Sequence, residues 1–194
     1  MNIESIAKVT KFREDLPFLF NQLGLTGLGV EVGVQRGSFS KHLLEHWHGA
    51  KLYLVDAWRT IEGYQDVANA DHNAQLDNMA ATFMAVYHYK ERATIIRELS
   101  KDAVKLFEDC SLDFVFIDAD HSYAGAKQDI ALWEPKVRKG GVLCGHDYLD
   151  SPIGENNIAE FGVKTAVNEW AQFTGHRVYS NEGSENFPFW WAKV

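Results

Sequence analysis

Two short segments carry the side chains best suited to chemistry, FIDADHSY at 116–123 and CGHDY at 144–148. Each closes an intensely apolar run, so Asp118, Asp120, His121, His146 and Asp147 stand where buried strands end. Asp118 and Asp147, with His146 beside them, form a donor set for a hard divalent ion. Magnesium takes one or two carboxylates and completes its shell with water and substrate oxygens. An imidazole in the shell extends the choice to manganese, iron or zinc. A metal-free rim is the other reading, with Asp118 positioning a substrate or a cofactor amine and Asp147 capping a loop. His121 is suited to a different role, because an imidazole titrates near neutrality and can take a proton from an acceptor hydroxyl. Its structural alternative is a cap on a helix that begins near Ser122. The remaining histidines, at 42, 46, 48, 72, 88 and 176, have no acid paired with them in sequence and suit solvated or packing roles.

A third segment, GVEVGVQRGSFSKHLLE from Gly29 to Glu45, positions a ligand rather than reacting with one. An apolar run reaches Glu31, a turn with Gly33 and Gly37 follows, and Ser38 opens an amphipathic helix. Strand end, tight turn and helix N-terminus together make the cofactor floor of many α/β proteins. The glycines keep side chains away where a ligand must meet the backbone. The spacing differs from the G-x-G-x-x-G of dinucleotide binders. One βαβ unit later KLYLVDAW ends at Asp56, an acid placed to accept the hydrogen bonds of a ribose diol.

The elements that must hold these residues follow from periodicity. A lead-in helix spans 5–22, and strands occupy Leu28–Val32, Lys51–Val55, Ala93–Arg97, Leu112–Ile117 and Gly141–Gly145. Helices are expected at Ser38–His48, at about 64–89 with a break near Asn69–Asn73, and at Ser100–Asp109, Tyr123–Trp133 and Phe161–Phe173. The strands read as a mostly parallel sheet covered by helices on both faces. Arg177–Ser180 and Phe187–Lys193 form an antiparallel pair at one edge. Polar LDSPIGENNIAE at 149–160 is a loop on the acceptor side. The 64–89 helix, that loop and the aromatic run FPFWW at 187–191 could wall an acceptor pocket, although core packing explains the aromatics and Met79–Met84 more simply.

A chain of 194 residues with this composition makes one domain, 1–194, with a substantial core. A net charge of −8 argues against a general binder of nucleic-acid backbones and supplies no basic patch for anionic membranes. No apolar run is long enough to span a bilayer, and the first residues lack a signal-peptide core. Two cysteines, Cys110 and Cys144, are too few for a disulfide framework. Each reads as a small buried hydrophobe in a protein of a reducing compartment, the cytoplasm. Apolar surface on so acidic a chain is compatible with a homodimer.

Together these segments resemble a class I S-adenosylmethionine-dependent methyltransferase across about residues 25–150. FIDADHSYAGAKQDIALWEPKVRKGGVLCGHDY is similar to the small O-methyltransferases called methyltransferase family 24, which are related to macrocin-type sugar enzymes and, more distantly, to catechol-type enzymes. The resemblance implies a Rossmann-like seven-stranded sheet with one reversed strand. It implies S-adenosylmethionine as cofactor, with magnesium or manganese in some branches, and a small-molecule acceptor bearing a sugar, diol or phenolic hydroxyl. Glu31, Gly33 and Gly37 correspond to the turn beside the cofactor's methionine end, with Gln35 where the fuller motif has glycine. Asp56 corresponds to the ribose acid, Ala57 and Trp58 lie near the adenine, and Ser100 flanks its edge. Asp118 matches the strand-four acid that meets the cofactor amine or a metal, and Asp147 a strand-five metal ligand preceded by His146. His121 falls where catechol-type relatives carry a catalytic lysine.

Rival classes fit less well. A nicotinamide oxidoreductase would place Glu31 against a diphosphate, at a cost in like-charge repulsion. A hydrolase lacks a G-x-S-x-G elbow. A non-catalytic cofactor binder on the same fold remains the reading of a different class, since a fold alone does not establish activity.

Overall fold

The computed structural model describes residues 3–64, 66, 68–151, 160–181 and 188–194. Five strands run parallel: β1 (Leu28–Val32), β2 (Lys51–Asp56), β3 (Ala93–Arg97), β4 (Leu112–Ile117) and β5 (Val137–Gly145). The pair β6 (Asp150–Ser151) and β7 (Phe161–Gly162) stands apart from them. β8 (Val178–Ser180) and β9 (Trp190–Lys193) complete a seven-stranded sheet of order β3-β2-β1-β4-β5-β9-β8. β9 is the reversed strand, antiparallel to both β5 and β8.

Both faces of the sheet are covered, and alternation along each strand assigns its side chains. Phe114, Phe116, Val142, Cys144 and Trp191 pack on one side with α1 (Ile3–Val9), α2 (Leu16–Gln22), α3 (Ser38–His46) and the end of α4 (His72–Val86). Val30, Val32, Val115, Ile117, Leu143 and Trp190 pack on the other with α5 (Ser100–Ala103), α6 (Tyr123–Trp133) and α7 (Val163–Thr174). Trp190 and Trp191 therefore point to opposite faces and are both buried. With Phe189 they belong to the core rather than to an acceptor wall; Phe187 lies outside the described residues. β4 is buried throughout. Its polar residue, Asp113, pairs with Arg138 and accepts the Gly27 N–H at the amino edge, well away from the rim of strand ends.

Four departures from the sequence-based expectation matter for the site. The lead-in helix is two helices, because the Asp15 carboxylate accepts the N–H groups of Lys11 and Phe12 and turns the chain between them. That break displays Arg13. The helix expected at 64–89 begins only at His72, where the Asp71 side chain caps it by accepting the Asn73 and Ala74 N–H groups of the first turn. Upstream, the Asn69 side chain bonds Ile61 and Tyr64 backbone groups, competing with helix in the same way. Ile61, Tyr64, Asp66, Ala68 and Asn69 are thereby left outside the helix, beside the rim of strand ends. The helix after β3 is one α-helical turn, α5, continued by a short 3-10 turn at Val104–Leu106. Finally, Cys110 is exposed and only Cys144 is buried.

Residues 152–159 of the acceptor-side loop lie outside the described residues. The outer face of α4 is less packed than expected: Leu76, Phe83, Met84 and Tyr87 are exposed beside the edge strand β3. Among the described residues no helix is long and apolar enough to cross a membrane.

Candidate active site

Strands β4 and β5 end side by side, and each ladder is prolonged by one bond beyond its neighbour's end. Asp118 N–H donates to Val32 O at 2.7 Å, and His146 N–H to Ile117 O at 3.1 Å. Asp147 then adopts a left-handed backbone, φ 53°. Aspartate tolerates this better than most residues, but the conformation is strained and turns its carboxylate toward Asp118.

His121 sits between these acids. Its Nδ1 is 2.9 Å from Asp66 Oδ2, and the Phe161 ring stacks on the imidazole at 5.2 Å between centroids. Its Nε2 is buried and faces both acids, 3.0 Å from Asp147 Oδ2 and 3.4 Å from Asp118 Oδ1, in directions that suit a hydrogen bond to neither. Helix capping, the structural alternative for this residue, is done by Ser122, whose side chain accepts the Gly125 N–H. His146 Nδ1 lies beside the cluster, 3.3 Å from Asp147 Oδ1 and 3.8 Å from Asp118 Oδ1. Arg13 approaches from the N-terminal break, 3.9 Å from Asp118 Oδ2, with its guanidinium over Phe39.

Burial by itself would lower the His121 pKa. The surrounding carboxylates of Asp118, Asp66 and Asp147 outweigh it and raise the group to about 10. Burial pushes Asp118 up, but His121 and His146 hold its carboxyl below the usual range. Asp66 is likewise depressed, by His121 and the Ala68 N–H against burial. For His146 the neighbouring acids overcome burial and raise the pKa.

A cavity of about 580 Å³ joins this cluster to the first βα turn, a size suited to a small-molecule ligand. Gly33, Gln35, Asp56, Ala57 and Ser100 line it, as do Asp118, His121, His146 and Asp147. Gly33, at φ 88°, packs so tightly that a Cβ there would lie 1.9 Å from the Asp118 carbonyl oxygen. Gln35 takes the left-handed conformation that glycine supplies in the fuller motif, φ 53°. Its carbonyl accepts from Trp58 Nε1 and Thr82 Oγ1.

Several residues expected to touch a cofactor also bond or pack within the protein. Asp56 Oδ2 accepts the Val34 and Gln35 N–H groups, each at 2.9 Å, and Oδ1 accepts Trp58 N–H at 2.8 Å. One acceptor direction on Oδ1 is left for a ribose hydroxyl. Glu31 lies off the cavity, buried and hydrogen-bonded by Ser40 Oγ. Burial raises its pKa to about 8, partly opposed by Ser40. Gly37 gives close approach to Thr82 of α4. Trp58 is wholly buried in the core. The Ser100 hydroxyl lines the cavity while bonded to Asp129 and Trp133.

Arg13, Tyr64, Asp66 and Phe161 were not singled out by sequence. A signal for the middle two existed: Gly63, Asp66, Asn69 and Asp71 crowd turn-forming residues into a stretch read as helix.

The chain matches the family model described as a methyltransferase domain over residues 30–148, more than half its length and including both strand-end segments. It belongs to the class I S-adenosylmethionine-dependent methyltransferases. Solved structures share the fold at low identity. An O-methyltransferase from Bacillus cereus, in complex with SAH, is 13% identical, with TM-score 0.64 over 99% of this chain and 88% of that one. A putative O-methyltransferase from Klebsiella pneumoniae is 15% identical, with TM-score 0.60 over 93% and 78%. A spermidine synthase from Thermotoga maritima is 13% identical, with TM-score 0.56 over 94% and 60%. No curated protein sequence matches the chain. Membership of this family makes S-adenosylmethionine-dependent methyl transfer its general activity; the fold, shared with a spermidine synthase, does not choose the acceptor.

The donor set fits a divalent ion. One ligand atom from each of Asp118, His121 and Asp147 falls within 4.8 Å of the others. Two donors placed cis on an octahedral ion with bonds of about 2.1 Å stand about 3 Å apart, close to the His121–Asp147 separation. With the Asp66 carboxylate on Nδ1, Nε2 is the ring nitrogen that would face an ion held by the two acids. The imidazole that converges with the two acids is His121, with His146 at the margin.

Proposed function

We propose that the protein transfers the methyl group of S-adenosylmethionine to a hydroxyl of a small molecule bound at the Asp118–His121–Asp147 cluster, which holds a divalent ion. The observation that carries this reading is the convergence of His121 Nε2 with the Asp118 and Asp147 carboxylates at the end of a ligand-sized cavity. When bound, the cofactor supplies an electrophilic methyl on a cationic sulfur, and the ion lowers the pKa of a coordinated hydroxyl.

The chain's own residues do the rest. Gly33 lets the cofactor approach the β1 turn without a side chain intervening, and Asp56 fixes that turn through three backbone donors. Asp118, Asp147 and Asp66 favour positive charge at the rim, which suits a sulfonium and disfavours its neutral product after transfer. Phe161 covers one face of His121 and keeps water from it. His121 is a ligand rather than the base in this reading. With its pKa raised to about 10, His121 is protonated at neutral pH and would not take a proton from an acceptor, and holding an ion on Nε2 would require release of that proton. An ion held there would acidify the hydroxyl of a vicinal diol, sugar or catechol, whose proton would pass to solvent as the oxygen takes the methyl and S-adenosylhomocysteine leaves. The resemblance of residues 116–148 to small O-methyltransferases supports the choice of oxygen as the methylated atom.

The test is methyl transfer from labelled S-adenosylmethionine to a panel of diols, sugars and catechols, before and after chelation and with manganese or magnesium restored. Transfer that disappears with chelator and returns with metal supports the reading. Equal transfer in metal-free protein removes the ion, and product methylated at nitrogen or carbon removes the hydroxyl.

A further inference from the structure

The chain between β2 and α4 meets the cofactor cavity and the metal cluster at once. Ile61, Tyr64, Ala68 and Asn69 line the cavity. The segment is tied to itself by Asn69 and by Ala68 N–H donating to Asp66 Oδ1 at 2.7 Å. Among the described residues, its hydrogen bonds to the end of β4 run through two side chains. The Tyr64 hydroxyl reaches the Ala119 carbonyl at 3.1 Å and Asp66 Oδ2 at 3.2 Å, and Asp66 Oδ2 reaches His121 Nδ1 at 2.9 Å. The Asp66 side chain is 3% exposed, so this link is sheltered from water.

A neutral imidazole carries one N–H, and its position decides which nitrogen has a lone pair. A carboxylate at Nδ1 holds the proton there and leaves Nε2 free to bind. The effect also runs backward: an ion on Nε2 enforces the same tautomer and makes Nδ1–H a stronger donor.

We propose that Asp66 is a positioning residue coupling two sites: it presents His121 Nε2 to a divalent ion, and the bound ion fastens Ile61, Tyr64 and Asn69 as a wall of the cofactor cavity. This rests on the reading that Asp118, His121 and Asp147 hold an ion. Linkage requires the coupling to be reciprocal, the ion tightening the cofactor by the factor by which the cofactor tightens the ion.

Calorimetric titration of manganese chloride and of S-adenosylhomocysteine, each alone and in the presence of the other, tests this without turnover. In the unsubstituted protein each ligand is expected to tighten the other by about fivefold or more. Asp66→Ala should lower manganese affinity about 10- to 100-fold and abolish the coupling. It should change metal-free S-adenosylhomocysteine affinity by less than the coupling lost. Asp66→Asn, whose amide oxygen still accepts from Nδ1–H, should restore part of both.

Manganese that binds without altering S-adenosylhomocysteine affinity would overturn the coupling and leave the metal site standing. Full coupling retained in Asp66→Ala would overturn the role of Asp66 and likewise leave the metal site standing. Failure of manganese to bind the unsubstituted protein would overturn the metal site itself, and the coupling with it. Should Asp66→Ala melt below the assay temperature, Asp66→Asn decides: reduced coupling at an unchanged melting temperature supports the role, and undiminished coupling overturns it.

Discussion

The turn after β1 and the rim after β4 and β5 are both rich in acids, yet they treat them in opposite ways. In the turn, polar groups are satisfied by the protein: Asp56 by three backbone donors, Glu31 by Ser40, and the Gln35 carbonyl by Trp58 and Thr82. At the rim Asp118, His121, His146 and Asp147 face one another, and a buried ring nitrogen is left without a hydrogen bond. A satisfied network is a rigid mould, whereas an unsatisfied one is a place for something else to bind. The two halves of one cavity thus divide shape from reactivity.

Substitutions in each half should separate these roles. The largest effect is expected from Gly33→Ala, because its Cβ would meet the Asp118 carbonyl oxygen at 1.9 Å in a left-handed backbone. We expect a loss of about 3 kcal/mol or more, read from chemical denaturation. An unchanged midpoint would mean the turn yields easily and is no mould. Next is Asp147→Asn, which keeps a residue tolerant of φ 53° but removes a charged donor. Metal affinity and turnover should fall about 100-fold while S-adenosylhomocysteine affinity measured without metal holds. A parallel fall in cofactor affinity would blur the division.

Asp56→Ala strips three backbone donors of their acceptor and should cost about 2 kcal/mol of stability as well as cofactor affinity. Weakened cofactor binding at full stability would return Asp56 to a purely ligand-facing role. The smallest effect is a pH slope. Glu31 has a pKa of about 8 when folded against 4.5 as its ordinary value, so the folded state holds the extra proton. Its contribution to stability is complete below about pH 4.5 and is lost as pH rises through 8. Glu31→Gln should flatten that component of melting temperature against pH; an identical profile would show Glu31 ionised in place.

Most of the framework was legible because strand signals are strong where both faces are buried. β1, β3, β4 and α6 fall on the residues that apolar runs and caps indicated. The same logic located Asp118, His121, His146 and Asp147 on one rim, since parallel strands must end together. What escaped was tertiary. Nothing in the periodicity of 64–89 says that Asn69 and Asp71 will bond local backbone and stop a helix, so Asp66 could not be brought to His121 from sequence. Likewise the Glu31 pattern shows an acid at a strand end, but not that alternation turns it to the α3 face.

The reversed strand carries a consequence for how the domain assembles. β8 precedes β9 in the chain, yet joins the sheet only through it, and β9 must first reach β5, far upstream beyond the whole of α7. Local pairing forms quickly and distant pairing slowly, because the intervening loop must be closed first. The longest closure in the sheet is nevertheless β1 on β4, with Val30 opposite Val115, so β9 reaches β5 across a shorter loop, and Trp190 and Trp191, one on each face, close both core layers when it does.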